Sequence, residues 1–192
     1  MTQDGSSEVG VAVAESDSGV VVLCAFGTSR KWPMTRPPER AGTKPLDAQD
    51  AIRHNAESGR VTVHGTDSAD KITVVDRKGK LHVHLISDGE VQKATFDSAE
   101  VADILFAGWG GDDGFANKTD VPSIAYGHAG NDKLIGGAAA DQLFGGEVDD
   151  VLRGGDSDDV LDGDEGADRL SGGRGFTTQR GGTVPFENSR MA

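Results

Sequence analysis

The chain has one cysteine, Cys24, so it can form neither an intrachain disulfide nor a thiolate cluster around a metal. Aromatic residues make up 5% of it, with two tryptophans and one tyrosine, too few for a platform on which sugars could stack. The apolar run from Val20 to Phe26 is seven residues long, far short of the roughly 20 that a membrane-spanning helix needs. Before it stand Asp4, Glu8, Glu15 and Asp17 and no basic residue, whereas a secretory signal starts positive, so no N-terminal signal peptide is seen. Positive charge is scarce throughout, with 19 basic residues against 32 acidic ones and a net charge of −13. Such a chain repels phosphate backbones and anionic lipid, which leaves cations as its natural partners. No HExxH or GxSxG signature is present, and Glu147 and Glu165 read as solvated charge in turns, so a non-enzymatic role is expected.

Glycine is plentiful, at 28 of 192 residues, and its placement divides the chain. Residues 1–53 show no sustained period. Four prolines and five basic residues between Arg30 and Pro45 mark an irregular, disordered arm, with a short helix expected around Asp47 to His54. Residues 54–107 alternate apolar and polar side chains at Val61 and Val63, at Ile72 and Val74, and at Leu81, Val83 and Leu85. That period of two predicts half-buried strands. Glycine-bearing turns fall at 65–69, 78–80 and 88–90. The result is a strand-rich segment that stacks onto the chain beyond residue 107. His82 and His84 would lie on the solvent face of one strand, with His64 on a neighbour, a spacing that suits exposure better than metal binding.

Residues 108–175 hold a repeat. Glycines recur at 127, 136, 145, 154, 163 and 172, and the words between them are GHAGNDKLI, GGAAADQLF, GGEVDDVLR, GGDSDDVLD and GDEGADRLS. Each has aspartate at the sixth place (Asp132, Asp141, Asp150, Asp159, Asp168) and leucine at the eighth (Leu134, Leu143, Leu152, Leu161, Leu170). An upstream copy, GWGGDDGFA, supplies Asp113 and Phe115. Residues 65–73, GTDSADKIT, match more weakly, with Asp70 and Ile72 in place. In 176–192 the glycine phase continues, but Thr177 and Gln179 replace the aspartate and leucine, which reads as a degenerate tail.

Nine residues suffice for a tight turn and a short strand with one inward leucine, and only stacking on neighbours buries that leucine. If two words make one coil, residues 18 apart stack about 4.8 Å from each other. Asp132, Asp150 and Asp168 then form one column, and Asp141 and Asp159 another. Two carboxylates about 5 Å apart repel by about 1 kcal/mol in water and about 3 kcal/mol at an effective dielectric of 20. The block carries 15 acidic and five basic residues, ten of the thirteen net negative charges, so the columns need a counter-ion. Calcium takes six to eight oxygens in flexible geometry and suits carboxylates beside glycine-turn carbonyls; magnesium wants a stricter octahedron, and zinc wants histidine or cysteine. Aspartates that merely solvate the turns are the simpler alternative, but solvation does not require aspartate at one fixed place.

These words resemble the GGxGxDxUx nonapeptides of the RTX, or haemolysin-type, calcium-binding repeats. The resemblance implies an all-β fold, a right-handed parallel β-roll. It also implies Ca2+ between successive turns, held by aspartates two words apart and by turn carbonyls. Carried over, the metal residues are Asp132 with Asp150, Asp150 with Asp168, Asp141 with Asp159, and Asp113 with Asp132, the last pair spaced 19 rather than 18. The turn carbonyls come from Gly130, Gly137, Gly146, Gly155 and Gly166. The fourth place departs from the pattern at Ala139, Val148 and Ser157, and valine is strained there if positive φ is required. The implied setting is secreted or cell-surface, with calcium driving the roll to fold. A structural or adhesive surface module with a matrix partner, or a fragment of a larger secreted enzyme or toxin, is the alternative. The uncapped final coil invites end-to-end self-association.

Overall fold

The computed structural model describes residues 51–181. The arm expected over 1–53, apart from its last three residues, and the tail beyond 181 lie outside these. Part of the helix expected at Asp47 to His54 is described, and it is extended: β1 (Ile52–Asn55) pairs antiparallel with β2 (Arg60–His64). The edge of a sheet offers Ile52 a packing surface that an isolated turn of helix lacks, and Ile52 packs against the core.

The described residues form an all-β structure of two seven-stranded sheets. The first runs β1, β2, β6 (Asp103–Gly110), β8 (Ser123–Ala129), β10 (Gln142–Glu147), β12 (Val160–Glu165) and β14 (Thr178–Arg180). The second runs β13 (Arg169–Arg174), β11 (Val151–Asp156), β9 (Lys133–Ile135), β7 (Gly114–Lys118), β3 (Lys71–Arg77), β4 (Lys80–Ser87) and β5 (Glu90–Asp97). Successive words alternate between the sheets, so the parallel neighbour of each strand lies two words along the chain. Leu143 pairs with Leu161, and Leu152 with Leu170, eighteen residues apart. Parallel pairing also reaches beyond 108–175, from β2 with β6 to β12 with β14.

Two inward ladders make the core. On the first sheet Val63, Phe106, Ala125, Leu143, Leu161 and Gln179 lie in register. On the second, Ile72, Phe115, Leu134, Leu152 and Leu170 do. The rings of Phe106 and Phe115 stack 5.4 Å apart between the sheets. The core is broader upstream, where Val61, Val74, Leu81, Val83 and Leu85 are buried as the alternation requires. It thins downstream to one leucine per strand and ends on the half-buried Leu170 and Gln179.

The antiparallel pairs β3–β4 and β4–β5 close through the two-residue turns Lys78-Gly79 and Asp88-Gly89. All four residues have positive φ (57°, 74°, 49° and 79°), the combination that matches the twist of a tight hairpin. This excursion separates β3 from its parallel partner β7.

Candidate metal centre

The alternation of sheets gives the roll two edges of turns. Along one edge lie 65–70, 108–113, 127–132, 145–150 and 163–168; along the other lie 136–141, 154–159 and 172–177. Strand register sets the sixth-place aspartates of each edge one above another, and a repeating hydrogen bond locks them. The backbone N–H of Asp132 donates to Asp150 Oδ1 at 2.7 Å, and that of Asp150 to Asp168 Oδ1 at 3.0 Å. Asp113 donates to Asp132 Oδ1 at 2.7 Å, so the pair spaced 19 apart joins the column. The additional residue sits in the 117–123 loop, where Asn117 accepts from Thr119 and donates 2.7 Å to the Val121 carbonyl. On the other edge Asp141 donates to Asp159 Oδ1 at 3.0 Å.

These carboxylates are out of solvent: Asp113 is 3% exposed, Asp159 2%, and Asp132, Asp141, Asp150 and Asp168 1%. Yet the Oδ2 atoms of Asp113, Asp132, Asp150, Asp159 and Asp168 accept no hydrogen bond. A buried acceptor left unpaired costs about 1–3 kcal/mol, and more when it is charged. Asp141 differs. Its Oδ1 accepts from the N–H and Oγ of Ser123, both at 2.7 Å, and its Oδ2 from the Gly137 N–H at 2.6 Å. Below Asp159, at the aspartate place, stands Thr177, whose buried Oγ1 has no partner.

The first-place glycines shape the space around these oxygens. A Cβ on Gly127 would lie within 3.0 Å both of Asp132 Oδ2 and of the Gly145 carbonyl oxygen in the next coil. Gly108, Gly136, Gly145 and Gly154 stand in the same relation to their own aspartate and to the next coil. The missing side chain therefore leaves a cradle between coils, walled by a carboxylate oxygen and a carbonyl oxygen. At Gly163 a Cβ would lie within 3.0 Å of Asp168 Oδ2, and Gly181, just after β14, packs against the Gly163 backbone.

Electrostatics agrees with the geometry. Burial pushes Asp113 up to about 8, Asp150 to about 7, and Asp132 and Asp159 to about 6, and it raises Asp141 as well. Neighbouring aspartates add repulsion, Asp132 and Asp70 on Asp113, and Asp132 and Asp168 on Asp150. Among the described residues no three carboxylate, imidazole or thiol groups converge, so carbonyls must complete any coordination shell. An all-oxygen donor set, buried, acidic and partly unpaired, fits a hard divalent cation of calcium type.

Of the glycines named from the sequence, Gly130, Gly146, Gly155 and Gly166 take φ of 131°, 124°, 120° and 137°. Gly137 instead donates to Asp141, and its carbonyl accepts the Asp156 N–H at 3.1 Å. The carbonyls that share these cradles with the aspartates belong to the first-place glycines, a set the sequence reading did not select, although their unbroken nine-residue phase was the available signal. Asp70 was likewise left out of the site, and it tops the first column. At the fourth place Val148 and Ser157 have φ of 79° and 78°. His64 lies on the first sheet, and His82 and His84 on the second, so the three do not share a face; His82 Nδ1 pairs with Thr95 Oγ1 at 3.1 Å.

Residues 124–152 and 144–178 match the RTX calcium-binding nonapeptide repeat, in 4 copies. This family of repeats binds Ca2+. No curated protein and no solved structure gives a significant match to the chain.

Proposed function

We propose that this chain is a calcium-responsive β-roll in a secreted or cell-surface setting. In it Ca2+ lies between stacked turns at Asp113 with Asp132, Asp132 with Asp150, Asp150 with Asp168, and Asp141 with Asp159. The observation that carries the reading is the row of buried Oδ2 atoms that accept no hydrogen bond. The bound ion supplies two positive charges and a demand for several oxygen ligands. The chain supplies the carboxylates, held in register by the backbone bonds between coils, and the carbonyls of Gly127, Gly145, Gly163 and Gly154 against them. Turn carbonyls at Gly130, Gly137, Gly146, Gly155 and Gly166 remain candidates for the rest of the shell.

Folding then depends on the ion. A thin core of one leucine per strand opposes the chain entropy of a glycine-rich, acidic repeat, and the aspartate columns add repulsion. Binding energy becomes folding energy when the site exists only in the folded state. Millimolar extracellular calcium would fill even sites with dissociation constants of about 10⁻⁴ to 10⁻³ M. The roll acts as a structural module. Circular dichroism of the full chain, followed from chelator to about 10 mM calcium, tests this. A growing β-signal with saturation is expected, and a flat response ends the proposal.

A further inference from the structure

The repeat model matches nothing upstream of residue 124, yet the column of the first edge continues to Asp70. There the chain leaves the nine-residue rhythm. Asp70 and Asp113 are 43 residues apart, separated by the hairpins of β4 and β5 and by β6. Even so, the contacts between the two turns repeat those of the coils below. The N–H of Asp70 donates to Asp113 Oδ1 at 2.8 Å, as Asp132 does to Asp150. The carbonyl of Asp70 accepts the Gly114 N–H at 2.8 Å, as that of Asp132 accepts the Val151 N–H at 2.8 Å.

The cradle is repeated as well. A Cβ on Gly65 would lie within 3.0 Å of Asp70 Oδ2 and of the Gly108 carbonyl oxygen. Gly111, with φ 92°, packs against the Ser68 carbonyl group as Gly130 does against that of Gly111. Asp70 is 2% exposed. Its Oδ2 accepts from the Thr66 N–H at 2.5 Å and from Thr66 Oγ1 at 3.2 Å, while its Oδ1 is buried without a partner. Asp113, directly below, also keeps an unpartnered oxygen. Asp70 thus keeps, like the aspartates of the coils below, one buried carboxylate oxygen that its own turn does not satisfy.

The geometry points to a further divalent-cation site between turns 65–70 and 108–113, built by Asp70, Asp113 and the Gly108 carbonyl. It rests on the reading of the repeats as calcium sites and extends it to a pair of turns that are not consecutive. An ion there joins the turn before the antiparallel excursion to the turn after it. Calcium would thus staple the upstream end to the roll, and not only hold the repeats together.

The test counts calcium ions per full-length chain by equilibrium dialysis, for the wild type and for Asp70→Asn. Asparagine keeps an acceptor for Thr66 and removes the charge. The wild type is expected to bind one ion more than the variant, with the same circular dichroism spectrum at saturating calcium. Limited proteolysis in calcium should then cut the 78–90 segment of the variant at least several-fold faster. If Asp70→Asn does not reach the wild-type spectrum, the count is made on Asp70→Ser, because Ser123 already occupies the equivalent place above Asp141. Equal, non-zero counts in wild type and folded variant overturn this site and leave the repeat sites standing. A wild type that binds no calcium removes both.

Discussion

Asp132 and Asp150, eighteen residues apart, are tied by a bond from the backbone N–H of the first to Oδ1 of the second, at 2.7 Å. One carboxylate oxygen thus serves the backbone ladder, and the other, Oδ2, is left buried and unpaired. The two roles can be separated. Asp150→Asn keeps an oxygen that can accept from Asp132 but removes the charge that two intervals of the column share. Calcium affinity is expected to fall roughly tenfold or more, since affinity in such sites follows ligand charge. Calorimetry on the folded variant measures it, and an unchanged isotherm would show that the carboxylate is structural only.

Proton and calcium should compete. Burial raises Asp113 to about 8, Asp150 to about 7, and Asp132 and Asp159 to about 6, from an ordinary value of 3.8. In the ion-free protein the folded state therefore holds more protons than the unfolded one. The stability these groups contribute is complete below about pH 4 and is lost as pH rises through 6 to 8. Thermal melts in chelator should be higher at about pH 5 than at about pH 8, and calcium should reverse that order.

The left-handed backbone at Val148 stores strain. Its φ of 79° costs a β-branched residue about 1–2 kcal/mol, and its side chain is half exposed and gains little. Val148→Gly is expected to stabilise the calcium-loaded roll by about 1 kcal/mol after glycine's larger entropy loss. Gly166→Ala should do the opposite. A Cβ there would meet the Val148 carbonyl within 3.0 Å, at a φ of 137° besides, and the cost should be at least about 2 kcal/mol. Denaturant midpoints at fixed calcium compare the pair.

The core ladder also sets a gradient. Leu152 is fully buried between Leu134 and Leu170, so Leu152→Ala should cost about 2–5 kcal/mol. Gln179 stands in register beneath Leu161, where the pattern calls for leucine. Gln179→Leu is expected to add about 1 kcal/mol by extending the ladder one strand. A calcium titration midpoint unmoved by either change would mean that the leucine ladder and ion binding are uncoupled.

Much of the roll was legible because its rule is local and repeated. One apolar residue at the eighth place and one aspartate at the sixth recur in phase, and a two-word coil follows from sheet geometry alone. The alternation in 54–107 was equally plain, and Val61, Val63, Ile72, Val74, Leu81, Val83 and Leu85 are all buried. Asp70 was harder to read. Its partner, Asp113, lies past an excursion of variable length, and no fixed spacing announces the pair. The difference between Asp141 and the other aspartates was hidden for the same reason. It depends on Ser123, which reaches Asp141 only because the 117–123 loop, one residue longer, keeps β8 in register.

The order of residues alone determined the repeat unit, its inward and outward faces, and the kind of ion its acidic turns call for, because each is written within nine consecutive positions. Tertiary structure decided which carboxylates share an interval, which oxygens stay unpaired, and how far the column runs. Those depend on hydrogen bonds between chain segments 18, 19 or 43 residues apart, and only the stacking of the coils brings such segments within reach of one another.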